Sequence, residues 1–278
     1  MRKKYYQAFG LLFYSSLNLP AQETSRDDLP IIEITECLPA FEEDVTKAEF
    51  DFCETKTRYL VRGTGEFVIS EGKKILFRRF PDVCDKAILA FLLGPPLGVL
   101  LQQRSLTVLH ANALVIDEKV VVLAGDTGAG KSTLASYFLQ QGHSFLGDEH
   151  CLVDSSEVVP GFEEMRIWRE AAIRVDINPD KLQKLAPNNE KCRFTPPNIY
   201  QKPLQMNCLI FIEVGDDLSC REAKGVQKVE LMLRSLYRPM YLQGEKLTTG
   251  WQNLLALAPK IRVYLLTRPK GKETLEDS

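Results

Sequence analysis

The sequence predicts an α/β protein in which a β-rich N-terminal region precedes a strand–loop–helix–strand core. Three observations carry this. Between residues 31 and 80, short β-branched runs ("RYLVRG", "EFVIS", "KKILFR") alternate with turn residues ("GTG", "SEGK"). From residue 105, two further β runs, "LTVLHANALVI" and "KVVVLAG", are joined by "DEK" and lead into the glycine-rich turn "GDTGAGKS". Behind that turn come a helix-prone stretch, "KSTLASYFLQQ", a breaker at Gly142 and the short run "SFLG". Runs bounded by turn formers read as strands, and a glycine-rich turn between strand and helix marks the carboxyl end of an α/β sheet.

Taken in order, the first stretch, "MRKKYYQAFGLLFYSSLNLPAQ", has the basic start and apolar middle of a secretory signal. Its apolar middle is short and broken by Tyr and Ser, so a first strand is expected instead. The acidic stretch "FEEDVTKAEFDFCE" reads as a solvated loop or strand edge. Residues 82–103 read as helix, with the proline pair in "GPPL" allowing a kink. The apolar part, "KAILAFLLGPPLGVLLQQ", falls short of the roughly 20 residues a membrane helix needs, so a buried helix is expected and no membrane partner. Further on, "PLQMNCLIFIEV" and "RVYLLTR" read as strands, and "VQKVELMLRSLYR" and "GWQNLLALAPK" as helices. A soft boundary near residue 104 divides a β-rich region, 1–104, ending in a helix, from a core, 105–278.

Composition narrows the function. A chain of 278 residues with a formal net charge of −2 has no overall basic surface with which to neutralise nucleic-acid phosphates, so no nucleic-acid partner is expected. The seven cysteines show neither CxxC nor His-paired spacing, so they read as free thiols in a reducing cytoplasm rather than as a disulfide or zinc framework. A homo-oligomer is compatible with this composition but not required by it.

The run "GDTGAGKS", 125–132, fits the pattern GxxxxGKS between a strand and a helix. In such a loop the backbone N–H groups converge on phosphate oxygens and the helix N-terminus adds a positive dipole. Gly125, Asp126, Thr127, Gly128, Ala129, Gly130, Lys131, Ser132 and Thr133 are therefore the expected nucleotide-binding residues. Lys131 should reach the β- and γ-phosphates of ATP, and the Ser132 hydroxyl should sit on Mg²⁺.

Asp148 and Glu149 follow "SFLG", a strand expected to run parallel to the loop strand, so both carboxyl ends open on one crevice. A carboxylate there can take the proton of an acceptor hydroxyl, and its neighbour can hold Mg²⁺. The competing reading has Asp148 capping a turn and Glu149 in solvent. His110 is placed in the strand before the loop strand, in a structural or an active-site role. His143 and His150 flank the acid strand. The Arg-rich "PGFEEMRIWREAAIRVD" and the polar "NEKCRFTPP", with Lys191 and Arg193, are candidate sources of a cation for a transferring phosphoryl group, or plain charged surface.

The segment "LHANALVIDEKVVVLAGDTGAGKSTLASYFLQQGHSFLGDEH" resembles the HPr kinase/phosphorylase catalytic domain. The wider pattern is similar to HPr-kinase-related proteins, including those that phosphorylate lasso-peptide precursors, through "AFGLLFYSSLNLP", "PGFEEMRIW" and "KPLQMNCLIFIEV". The resemblance implies a P-loop kinase core of the HPr kinase and ATP-dependent phosphoenolpyruvate carboxykinase type. It also implies ATP-dependent transfer to a serine hydroxyl of a peptide or small protein. By position Asp148 matches the family's catalytic base, Glu149 its second aspartate, Lys131 and Ser132 its P-loop lysine and metal-binding hydroxyl, and His110 its active-site histidine. Glu149 is a methylene longer than the usual aspartate, Thr133 stands where an acidic residue is common, and "EMRIW" replaces an "EIRG"-type signature. Two other readings remain at this point: a small-molecule P-loop kinase, and a nucleotide-binding regulatory or assembly protein without turnover.

Overall fold

The N-terminal apolar stretch forms a hairpin, β1 (Lys4–Ala8) and β2 (Leu11–Ser15), reversed at Phe9 and Gly10, both at positive φ (55° and 66°). A two-residue turn of this hand matches the twist of the strands it joins. The computed structural model describes residues 3–26, 28–37, 49–52, 55–185, 190–242 and 244–269. Most of the acidic stretch and Cys53 lie outside them.

The hairpin belongs to an eight-stranded mixed sheet with β3 (Glu23–Thr24), β4 (Ile31–Glu36), β5 (Glu49–Asp51), β6 (Lys56–Val61), β7 (Gly65–Ser70) and β8 (Lys74–Arg79). Strand order is β3-β1-β2-β4-β8-β7-β6-β5, with β2–β4 and β4–β8 parallel and the remaining pairs antiparallel. An extended-peptide site on a free strand edge within 57–80 would follow from reading that region as an isolated meander. The structure corrects this, because β6, β7 and β8 all have neighbours on both sides and the sheet ends at β3 and β5. The pairing partners come from residues 31–36 and 49–51, which local pattern does not reveal.

Burial alternates along β7 and β8, and the buried face is covered by α1 (Asp85–Leu92) and α2 (Pro95–Gln103). Ile88, Leu92, Leu97 and Leu100 pack with Phe67, Ile69, Ile75 and Phe77. Each such side chain contributes about 1.5–3 kcal/mol through burial. The helices are bent by 45° at Gly94, where Pro95 opens α2 at the position that tolerates a missing N–H. Among the described residues no single helix is long and apolar enough to cross a membrane. Gly98 in α2 faces the Tyr237 ring so closely that a Cβ there would stand 2.1 Å from it.

The second sheet has nine strands. Its centre is β10 (Ala111–Ile116), β11 (Lys119–Gly125), β12 (Ser144–Gly147) and β18 (Leu204–Gly215), in the order β12-β10-β11-β18. The β10–β11 hairpin turns at Asp117 and Glu118, both at positive φ, as the "DEK" run implies. Strand β18 pairs parallel to β11 and to β20 (Arg262–Pro269), and β19 (Ser219–Glu222) closes that edge. β12 runs in the same direction as β11, with antiparallel β10 between them, so both carboxyl ends do open on one side. The start of β18 also joins β14 (Glu157–Val159), which leads to β13 (Cys151–Asp154) and β9 (Thr107–Leu109). A small third sheet contains β15 (Met165–Trp168), β16 (Gln183–Lys184) and β17 (Lys191–Phe194).

Helices cover both faces of the central strands. On one side Leu134 and Leu139 of α3 (Lys131–Gln140) pack with Leu123, Phe145 and Ile212, and α4 (Arg169–Arg174) adds Ala172. On the other, Leu231 and Met232 of α5 (Gly225–Arg234) and Leu254 and Leu257 of α6 (Gly244–Leu257) meet Val122, Phe211 and Val263. Residues 120–125 of β11 and 208–212 of β18 are buried or half-buried on both faces, which is why those stretches read as continuous apolar runs.

Candidate functional site

The glycine-rich loop leaves β11 at Gly125. Its φ is 142°, and a Cβ would lie 2.2 Å from the Ile212 carbonyl oxygen, so only glycine lets the loop depart this close to β18. Gly128 and Gly130 take φ of 86° and 101°, and α3 begins at the next residue, Lys131. The Lys131 ammonium donates to the Gly125 carbonyl at 2.7 Å and to the Asp126 carbonyl at 3.1 Å, and burial lowers its pKa. Thr127, Gly128, Gly130, Lys131, Ser132 and Thr133 all line one cleft of about 290 Å³. Three loop positions do not. Gly125 is buried at the strand end, Ala129 is buried behind α3, and Asp126 turns outward to pair with Arg234 at 3.0 Å.

Asp148 and Glu149 stand at the end of β12 and line the same cleft. They occupy a tight turn in which the His150 N–H donates to the Asp148 carbonyl at 2.6 Å, and Glu149 adopts φ 61°. Neither is simply a solvated turn residue. Both Asp148 oxygens accept hydrogen bonds: Oδ1 from Asn112 Nδ2 at 2.6 Å, and Oδ2 from the Arg166 backbone N–H at 2.8 Å. Burial still dominates and pushes the Asp148 carboxyl up to about 6, helped by the neighbouring Glu149 charge. For Glu149, burial also works against ionisation. The charge of Arg166, whose Nη1 lies 2.9 Å from Oε2, holds the carboxyl below its usual range all the same. Two adjacent carboxyls are thus driven in opposite directions, a pattern that separates acid–base work from charge holding.

Cations join the acids in the same cleft. Arg166 and Lys191, from paired strands β15 and β17, and Arg238, after α5, line the cleft with Trp168. Along β15 the alternation puts Met165 and Ile167 in the core and leaves Arg166 and Trp168 on the cleft side. Arg166 also donates to the Ala90 carbonyl of α1 at 3.0 Å, which ties the acid pair to the first sheet's helices. Arg193 is not in this group. Its guanidinium pairs with Glu164 at 3.2 Å and donates to the Lys86 carbonyl.

His110 lines the cleft but does not lie within a strand. It sits at the break between β9 and β10, where its N–H donates to the Ser235 carbonyl at 2.7 Å. The run "LTVLHANALVI" is therefore two strands pairing with different partners, a division that periodicity alone does not show. Burial, and then the Lys131 charge, push the His110 pKa down to about 4, so its imidazole is neutral near pH 7. His150 is buried with its ring centroid 4.4 Å from that of Tyr237, and burial lowers its pKa to about 4 as well. Neither His143 nor His150 lines the cleft.

Sequence reasoning missed Asn112 and Arg238. For Asn112 a signal existed: a lone amide in an otherwise apolar strand needs a buried partner, and 1% exposure with a bond to Asp148 supplies it. For Arg238, in the left-handed region at φ 39° before Pro239, nothing in the local pattern points to the cleft. Among the described residues no cluster of three or more His, Cys, Asp or Glu could hold a metal by itself. Ser132 and Glu149 are oxygen donors lining one cleft, which suits Mg²⁺ held jointly with phosphates and water rather than in a protein cage.

No protein-family model matches this chain, and no curated protein sequence matches it. Among solved structures, the chain is similar in shape to an HPr(Ser) kinase/phosphatase from Coxiella burnetii. The TM-score is 0.30 at 13% identity, and the match covers 59% of this chain and 86% of that chain. A likeness of that degree does not define the fold, which rests on the strand order itself.

Proposed function

We propose that the cleft binds ATP with Mg²⁺ and transfers the γ-phosphate to a hydroxyl, that of a serine in a peptide or small protein. The observation that carries this reading is the setting of Asp148. It is a carboxylate of raised pKa, oriented by two N–H donors, in one cleft with a glycine-rich loop, its lysine and three further cations. With a pKa of about 6, Asp148 is mostly ionised near pH 7 yet more basic than an ordinary aspartate, which suits a general base.

In this reading the acceptor hydroxyl donates its proton to Asp148 while its oxygen forms a bond to the γ-phosphorus. The bond from that phosphorus to the β–γ bridging oxygen breaks, and ADP leaves. Lys131, Arg166, Lys191 and Arg238 offset the charge on the phosphoryl oxygens, and each such contact supplies on the order of a few kcal/mol in the transition state. Ser132 and Glu149 would hold Mg²⁺, which neutralises phosphate charge when bound. Neutral His110 is a candidate hydrogen-bonding group beside Lys131. The choice of a peptide serine rests on the resemblance of "LHANALVI…GDTGAGKS…FLGDEH" to HPr-kinase-related proteins.

The test pairs calorimetric ATP titration with a γ-phosphate transfer assay on serine-containing peptides, for the wild type and Lys131→Ala. The variant should fold, bind ATP weakly and transfer nothing. Undiminished transfer by Lys131→Ala removes the loop from the mechanism, and a phosphorylated metabolite in place of a peptide replaces the acceptor class.

A further inference from the structure

A second cleft, of about 560 Å³, adjoins the first at the glycine-rich loop. Gly128, Thr133 and Trp168 line both. Arg169, Glu170, Ala171, Arg174 and Glu190 complete the second, which contains neither Asp148 nor Glu149. Trp168 is 50% exposed and stands between the two. Lys191 lies over its ring, with the ammonium 5.2 Å from the centroid, and Lys191 lines only the first cleft. With that cation over its ring, the indole still exposes half of its surface, and it lines both clefts.

From this arrangement we infer that the second cleft is the nucleoside subsite, with the purine base stacked on the half-exposed indole of Trp168. The inference rests on the reading of the loop as a nucleotide site. A nucleoside triphosphate held by its phosphates at the loop must extend away from the acids, because the acceptor hydroxyl needs the space beside Asp148. The only loop residues shared by the two clefts, Gly128 and Thr133, mark the route. The chemistry of the walls agrees. The first cleft gathers cations and carboxylates suited to phosphoryl oxygens. The second presents a half-exposed indole among charged groups of both signs, suited to a flat neutral heterocycle and sugar hydroxyls. Its volume falls within the roughly 300–1,000 Å³ usual for small-molecule sites. Stacking on an aromatic face accepts any base, so the subsite should bind adenine and guanine nucleotides with similar strength.

The chain has two tryptophans, so Trp251→Phe leaves Trp168 as the sole indole reporter. In that variant Mg-ATP should quench the emission, whereas Mg-tripolyphosphate, which has phosphates and no base, should bind by calorimetry without quenching. In the wild-type background Trp168→Ala should weaken ATP about 10-fold, the scale of one base–aromatic stack, and leave tripolyphosphate within about 2-fold. Trp168→Phe should retain most of the ATP affinity. Equal losses for both ligands, or undiminished ATP affinity without quenching, would overturn the subsite while leaving the loop assignment intact. Failure of wild-type protein to bind either ligand overturns the nucleotide reading and the subsite together.

Discussion

Replacing Asp148 with Asn removes a charge that the fold holds at a thermodynamic cost, and the size of that cost follows from the site. The carboxyl titrates at about 6 in the folded protein against 3.8 for a free aspartate. The folded state therefore binds this proton more tightly than the unfolded state does. The penalty is absent below the unfolded value, grows as pH rises between the two values, and is complete above about 6. The full shift corresponds to about 3 kcal/mol, and the part gained between about pH 4.5 and about pH 8 is roughly 2 kcal/mol. The substitution carries a second effect of opposite sign. Both Asp148 oxygens accept from N–H donors, and an amide offers only one oxygen, so one hydrogen bond is lost at a cost of about 1–3 kcal/mol. That loss applies to the ionised carboxylate, whose hydrogen bonds the folded pKa already includes; the difference between the amide and the protonated acid does not depend on pH and cancels when the two conditions are compared. For a chain of 278 residues, 2 kcal/mol is worth about 3–4 °C in Tm. Thermal denaturation of wild type and Asp148→Asn should thus show the variant gaining about 3–4 °C relative to wild type on going from about pH 4.5 to about pH 8. It should also lose about 10²–10⁴-fold in transfer rate. The same Tm difference at both pH values would refute the claim that burial strains this carboxylate.

Gly125→Ala places a Cβ 2.2 Å from the Ile212 carbonyl oxygen at a φ that alanine avoids, so the loop must shift; ATP affinity should fall, checked by calorimetry, with a lowered Tm. Gly98→Ala drives a methyl into the Tyr237 ring from α2; overpacking of this kind costs about 1–3 kcal/mol, read by urea denaturation, and should be partly relieved by adding Tyr237→Leu. Glu149→Gln keeps the shape of the Arg166 contact without its charge, and should raise the Mg²⁺ concentration for half-maximal transfer while Asp148→Asn leaves it unchanged.

The sequence by itself determined many of the local elements and the glycine-rich turn between strand and helix, because both depend on short-range physics. Strand runs, the two-residue turn at Asp117 and Glu118, the bent helix pair around Gly94 and the strand–loop–helix order of 119–140 all follow from propensity and periodicity within a few residues. The acid pair was also legible, since two carboxylates at a strand end beside such a loop fall on the same side of any sheet in which the strands run the same way. What only the tertiary structure decided is what surrounds those groups. The β11 strand finds β18 some 80 residues later, and Gly125 is needed only because Ile212 lies against it. Asn112, Arg166 and Lys191 come from three separate strands and Arg238 from the segment after α5, and no local pattern specifies that Asn112 meets Asp148, that Arg166 meets Glu149 or that Lys191 and Arg238 line the same cleft. His110 looked like a strand residue because apolar alternation passes straight through it, yet its neighbours join different strands and the chain breaks there. The raised pKa of Asp148 has the same origin. It comes from desolvation by packed neighbours, and desolvation is a property of a filled volume that a linear chain does not possess.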